Sequence, residues 1–345
     1  MAAVDDLCVR IRDTHDRISD RCSQMSDREK KSKWSVRVML VLLHVIFVGL
    51  IFALKPDLLW RNNGMPWYTM MYLALLLATI SQYFFTSYSE PGYVIDAMRA
   101  GNEMHATFVN TCTISKQSSS RGANLGQPES PNSSSSQWFK IVSDLHPPSS
   151  SSREWTCGYC NVYQPPRSKH CHECDKCVLQ FDHHCVWLGT CIGLKNHCRF
   201  WWYLLFQTSL AAWTIILYIH ILRQHIPMAW WKNFLMTLAL CILILIFIFL
   251  LLLCLFHSYL AMTNQTTYEL ARRRRVPYLR GLPEKVQPFS QGICKNLSTF
   301  CFSRKKSYLL EPIPSVEELQ NRAVSHTWLD CIMCKCFLGF SNCCT

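Results

Sequence analysis

Charge is what this chain has least of, over four long stretches. Lys, Arg, Asp and Glu make up 17% of its 345 residues. The runs from Met65 to Ser89, Phe200 to Leu222 and Phe234 to Thr263 contain none of them. The run from Trp34 to Leu54 contains only Arg37. Apolar residues collected in this way exclude an ordinary soluble domain and predict a multi-pass membrane protein. Residues 1–33 are polar and charged and lack the apolar core of a cleavable leader, so the first run is expected to act as its own signal. Acids are scarcer than bases, 23 against 35. The resulting formal charge of +12 invites a nucleic-acid reading. In a chain of membrane spans, however, basic residues set topology and meet anionic lipid headgroups. Two further absences narrow the range. No ankyrin-like recruitment repeat is present, and Asn342 stands where a prenylated C-terminal cysteine would have to be.

About 20 residues of helix cross the hydrocarbon core. The first three runs fit one crossing each. The fourth has 30 uncharged residues, or roughly 45 Å of helix, and should extend beyond the bilayer. The loops after the first and third runs hold few basic residues: Lys55 and Arg61 in one, Arg223 and Lys232 in the other. Most of the remainder, Arg272 to Arg275 included, lie in the N-terminal segment, the central segment and the tail. The positive-inside rule therefore places both termini and the central segment in the cytosol. On that topology Asn132, Asn264 and Asn296 match the glycosylation pattern but stay bare. Arg272 to Arg275 themselves read as a solvated topology signal, and His44, His220 and His257 as packed or interfacial.

The expected organisation is a cytosolic segment over 1–33, spans over 34–54, 65–89, 200–222 and 234–263, and a cytosolic tail over 264–345. Between the second and third spans lie a serine-rich linker over 90–154 and a Cys/His-rich module over 155–199. The linker reading rests on serine runs at Ser118 to Ser120, Ser133 to Ser136 and Ser149 to Ser152, with too little apolar surface to fold alone.

Twenty cysteines is a high count, and eight fall between Cys157 and Cys198. Packed among histidines, they read as metal ligands rather than a disulfide framework. The pattern runs Cys157, Cys160, His170, Cys171, Cys174, Cys177, Asp182-His183-His184-Cys185 and Cys191. With His197 and Cys198 set aside, it offers seven Cys and four His (His170, His172, His183 and His184). Two closed tetrahedral zinc sites of three Cys and one His use six and two of them. One Cys and two His are left, enough for a nucleophile and its base. Cys185, beside Asp182, His183 and His184, can thus be a nucleophile with its base and orienter, or these residues can simply be metal ligands.

The module resembles the cysteine-rich domain of the DHHC-type protein S-acyltransferases, or palmitoyltransferases, and among them the plant members. The resemblance extends to the four-span layout and to Thr266-Thr267-Tyr268-Glu269, the family's Thr-Thr-x-Glu element. It also takes in Glu90-Pro91-Gly92, with Glu for the family's Asp, and Pro288-Phe289 through Asn296 to Phe300. It implies an all-α multi-pass membrane protein with four transmembrane helices and a cytosolic Cys-rich two-zinc module between the second and third. One structural Zn2+ would take Cys157, Cys160, His170 and Cys177, the other Cys171, Cys174, His184 and Cys191. Asp182, His183 and Cys185 would then be catalytic, with Thr267 near Asp182 and His172 a surface residue. A palmitoyl group would pass from palmitoyl-CoA, or a similar long-chain acyl-CoA, to Cys185 and on to membrane-proximal cysteines of client proteins. Arg167 and Lys169 would hold CoA phosphates, and Trp187 would shape the mouth of the acyl cavity among membrane lipids.

Two positions depart from the family pattern. Thr190 replaces an Asn, which touches local packing, and Gln164 replaces a basic residue, which touches CoA affinity. The resemblance favours the Golgi, or for plant members the vacuolar membrane. The rival readings are an inactive zinc-binding membrane adaptor and a zinc-finger nucleic-acid binder. The second lacks the finger spacing and is held between spans, so no nucleic-acid partner is expected. The terminal cysteines Cys331, Cys334, Cys336, Cys343 and Cys344 read as sites of self-acylation, metal ligands or free thiols.

Overall fold

Apolar runs of membrane-spanning length can satisfy their backbone only as helices, and among the described residues four such helices form. The computed structural model describes residues 34–53, 66–103, 132–147, 150–223, 229–280, 282, 286–302, 308, 310–315 and 317–319. The terminal cysteine group lies outside them. Helices α1 (Trp34–Ala53), α2 (Pro66–Ser87), α5 (His197–Arg223) and α6 (Trp230–Thr263) are each long and apolar enough to cross a membrane. At 34 residues, α6 is about 50 Å long, well beyond the roughly 30 Å hydrocarbon core. It starts four residues before the predicted fourth run, because Trp230 to Asn233 continue the same helix.

The chain divides into two compact units. One comprises Met1–Ser87, the short Cys185–Gly189 turn and Phe206–Phe249. Inside it, polar side chains of the spans pair with one another, as buried polar groups in an apolar setting must. His44 Nε2 lies 3.0 Å from Gln207 Oε1, the Tyr72 and Thr214 hydroxyls lie 3.0 Å apart, and Trp213 Nε1 donates to Tyr68 at 2.7 Å. Two α2 hydroxyls hold the Cys185–Gly189 turn by its backbone. Tyr83 donates to the Trp187 carbonyl at 3.0 Å and Ser87 to that of Leu188 at 2.6 Å.

The second unit comprises Tyr88–His184, Thr190–Leu205 and Leu250–Thr345. The expected all-α architecture needs a correction here, because the Cys/His region is built from short hairpins. Strands β1 (Thr156–Cys157) and β2 (Val162–Tyr163) pair, as do β3 (Lys169–Cys171) with β4 (Lys176–Val178) and β5 (His183–Cys185) with β6 (Thr190–Ile192). Asn161 and Asp175 each follow the second cysteine of a closely spaced pair and take φ of 51° and 49°. Both types tolerate this left-handed conformation, since their short polar side chains bond locally.

The serine-rich linker also holds structure. Helix α4 (Asn132–Leu145) buries Trp138 and Val142, four residues apart on one face. They join Val94 and Ala97 of α3 (Val94–Glu103) and Trp155 in one apolar cluster. Trp138 Nε1 donates to the Tyr163 carbonyl at 2.9 Å, fixing α4 against the first hairpin. The serine count hid this stripe of apolar residues. Beyond α6 follow α7 (Thr267–Ala271) and α8 (Ile293–Phe302).

Gly193 lies where the segment after β6 passes the second hairpin. A Cβ there would meet Val178 Cγ1 at 2.7 Å and the Leu179 carbonyl oxygen at 2.8 Å. Gly193→Ala should therefore destabilise this unit by about 1–3 kcal/mol, the usual cost of overpacking. Thermal unfolding of the purified protein in detergent, with a lowered midpoint, checks it.

Candidate active site and metal centres

The three hairpins bring eight ligand-type side chains into two groups. Cys157, Cys160, His170 and Cys177 form one, and Cys171, Cys174, His184 and Cys191 the other, each with its donor atoms within 4.8 Å of one another. In the second group His184 Nδ1 is 3.7, 3.5 and 3.5 Å from the sulfurs of Cys171, Cys174 and Cys191. The Cys174 and Cys191 sulfurs are 3.4 Å apart. In the first, His170 Nδ1 is 3.3 Å from Cys160 Sγ and 4.0 Å from Cys177 Sγ. Four donors around a tetrahedral ion with bonds of about 2.0–2.3 Å stand roughly 3.3–3.8 Å apart. The second group fits that spacing and the first lies within about 0.2 Å of it, so each can hold a metal ion. Gln164, the departure from the family's basic residue, donates Nε2 to the Cys177 sulfur at 3.2 Å. Thr190 is buried within β6.

Asp182 lies between β4 and β5 and is 1% exposed. Its Oδ2 accepts from His183 Nδ1 at 2.6 Å and from Thr267 Oγ1 at 2.8 Å, and its Oδ1 accepts from Thr267 N at 2.7 Å. His197 Nε2 stands 3.8 Å from Oδ1. Burial alone would raise the Asp182 carboxyl, but His197, His183 and His257 outweigh it and hold the group well below the usual carboxylate range. His183 thus has Nδ1 committed to a carboxylate, which fixes its tautomer and leaves Nε2 as the basic nitrogen. That pairing equips it to accept a proton from a thiol or hydroxyl. Cys185, the next residue but one, is buried, and its carbonyl accepts from Leu188 N at 3.2 Å and Gly189 N at 2.9 Å. Trp187 is 55% exposed.

Thr266 caps α7 through a reciprocal box with Glu269. Glu269 also holds Arg167, one of the residues expected to contact CoA phosphate. The Arg167 side chain is 2% exposed, and all five of its N–H donors are used within the protein. Nε and Nη2 bond the Glu269 carboxylate at 2.8 and 3.1 Å. Nη1 bonds Asn264 Oδ1 at 3.1 Å and Glu311 at 2.9 Å, and Nη2 also bonds the Asn264 carbonyl at 3.0 Å. Phe289 covers one face of the guanidinium, its centroid 4.4 Å away. Arg167 is a structural clamp with no donor left for a ligand.

Lys169 differs. It borders a cavity of about 420 Å³ that is also lined by His146, Trp155, Tyr268 and Tyr278. Its ammonium lies 4.0 Å from the Tyr268 ring centroid. Burial, then the neighbouring Arg272 guanidinium, lowers the Lys169 pKa. Residue-type reasoning missed His197, set aside as surplus, His257, read as packing, and Glu311, which carries no motif. His172 is exposed and packs edge-on to Tyr159.

Comparison with known proteins points the same way. The family model for DHHC palmitoyltransferases matches residues 150–274. Protein S-acyltransferase 10 of Arabidopsis thaliana is 46% identical over 341 residues, covering 96% of this chain and 99% of that protein. Probable protein S-acyltransferase 5 of the same plant is 37% identical over 153 residues, 42% of this chain and 31% of that one. Putative ZDHHC-type palmitoyltransferase 7 of Dictyostelium discoideum is 33% identical over 147 residues, 42% and 34% respectively.

Replacing Arg167 by Lys keeps the charge but removes the fork that reaches three acceptors. Breaking a buried ion pair costs about 3–5 kcal/mol. Arg167→Lys should lose a large part of that and melt well below wild type. An unchanged thermal midpoint would refute the clamp.

Proposed function

Because this chain belongs to the DHHC palmitoyltransferase family, we propose that it moves a fatty acyl group, palmitoyl for preference, from acyl-CoA to cysteines of client proteins through a thioester on Cys185. The observation that carries this reading is the 2.6 Å bond between Asp182 and His183, two residues from a thiol that neither metal-ligand group uses. A free thiol has a pKa near 8.5, and only its thiolate attacks well. In the proposed reaction His183 Nε2 takes the Cys185 proton while Asp182 steadies the imidazolium. The sulfur attacks the thioester carbonyl, the C–S bond to CoA breaks, and CoA leaves as a thiol on taking the proton back. A client thiol then gives its proton to His183 and attacks the acyl-enzyme carbonyl, the C–S bond to Cys185 breaks, and Cys185 takes that proton to return to the thiol. Each step exchanges one thioester for another, so no further energy source is required.

The eight cysteines and histidines would hold two structural Zn2+ ions, which suit a three-sulfur, one-nitrogen donor set. Zinc so held stabilises the fold of a module with little core of its own. His184 would be pinned by its metal, which limits movement of the Asp182–Cys185 segment. Lys169, with Arg272 beside it, is the proposed contact for CoA phosphate, and Trp187 for the mouth of the acyl site. We place the protein in an endomembrane, the Golgi or the vacuolar membrane, with both termini and the module in the cytosol.

Incubation of the purified protein with a labelled long-chain acyl-CoA should give a hydroxylamine-labile label on wild type and none on Cys185→Ser. Equal labelling of the two would remove Cys185 from the mechanism, and an unlabelled wild type would favour a membrane adaptor. Metal analysis should find two zinc ions per chain (a count that follows from the two ligand groups). Cys171→Ala or His184→Ala should lose one or both ions and disorder the module; full zinc retention in either would refute the ligand scheme.

A further inference from the structure

His257 is a buried imidazole in a membrane-spanning helix, 2% exposed, and the proposed reaction makes no use of it. A polar ring in that setting needs a hydrogen-bond partner. Its Nδ1 lies 3.3 Å from His197 Nε2. The same Nε2 lies 3.8 Å from Asp182 Oδ1. Three of the four acceptor sites on the Asp182 carboxylate are taken by His183 and the two Thr267 donors. The fourth, on Oδ1, is the one within reach of His197.

One arrangement of protons suits these atoms. With its proton on Nε2, His197 presents an N–H to both Asp182 Oδ1 and the lone pair of His257 Nδ1. With its proton on Nδ1, the His197 Nε2 lone pair would face the Asp182 carboxylate, which is repulsive. The carboxylate thus selects the Nε2–H tautomer, and His257 Nδ1 is the acceptor that aims that N–H. Edge-on packing holds His257 in turn, against His197 at 88° and Phe200 at 87°. The His183 ring also packs on Phe200 and His257, with centroids 5.4 and 5.8 Å away. His257 thus touches both the imidazole that works with Asp182 and the one that backs it.

We propose that His257 is a positioning residue: it holds the His197 ring with Nε2 turned toward Asp182 Oδ1, 3.8 Å away, and so keeps the opposite carboxylate oxygen aligned on His183. This rests on the reading of Asp182, His183 and Cys185 as the reacting set. Losing the alignment slows thiol activation and leaves acyl-CoA binding alone. The three donors of Asp182, His197 and His257 also lie within 4.8 Å of one another, close enough for a metal ion, so metal content belongs in the test.

The test uses the full chain in detergent and single-turnover labelling with a fluorescent acyl-CoA. His257→Leu should acylate about tenfold more slowly, with KM for acyl-CoA within about twofold and wild-type zinc content. His257→Asn, whose side-chain oxygen can accept from His197, should regain most of the rate. In an Asp182→Asn background, His257→Leu should cost nothing further, because residues that act through one another are not additive. A leucine variant at full rate overturns the proposal. So do equal losses in the Leu and Asn variants, an additive loss in the Asp182→Asn background, or a third metal equivalent in wild type that His257→Leu removes. Should His257→Leu lose zinc and unfold, His197→Gln and His197→Phe make the same comparison from the other ring, and equal rates for those two overturn it. Failure of the underlying reading looks different: wild type then carries no label that depends on Cys185.

Discussion

The Asp182 carboxylate is 1% exposed, and its donors come from the adjacent His183 and from Thr267, 85 residues away in sequence. A buried charge without partners costs several kcal/mol, so this one dictates what must surround it. Thr267 supplies two of the three short bonds from the first turn of α7. The capping box of the same helix fixes Glu269, and Glu269 bonds Arg167, which sits just before β3. From Asp182 the chain of contacts therefore runs through α7 and back into the hairpin region. Displacement of any member exposes or strands a charge elsewhere in it.

The ligand groups add a second constraint. Cys171 and Cys174 of one group lie between His170 and Cys177 of the other, so neither can close without setting the path of the other. Asp182 and His183 lie between the last ligand of the first group, Cys177, and the histidine of the second, His184. With an ion in each group, the segment proposed to react would be held at both ends and lose little freedom in the reaction, which is what preorganisation requires. Gln164 fits the same logic. A residue that looked like a lost cation is a donor to a thiolate ligand.

Much of this was legible in residue types. The four spans stood out because charge is nearly absent from them, and the ligand groups because cysteine pairs two residues apart are rare outside metal sites. Thr266 to Glu269 stood out as a motif. Other parts carried no signal. Helix α4 was masked by its serines, because composition averages over the Trp138 and Val142 stripe that buries it. Arg167 looked available because a sequence shows a cation but not its acceptors. Glu311 belongs to no motif and meets Arg167 only through 144 residues of intervening fold.

By itself the sequence determined the chemistry on offer: helices that must lie in a membrane, thiolates and imidazoles at metal-ligand spacing, and a thiol beside a histidine and an aspartate. Those are local properties, set by side-chain type and by short-range periodicity. Only the tertiary structure decided which groups are consumed by one another. It assigned Arg167 to Glu269 and Glu311, and set His197 and His257 behind Asp182. The physical reason is that buried polar groups must find partners, and the partner is whatever the fold brings within about 3 Å, however far away in the chain.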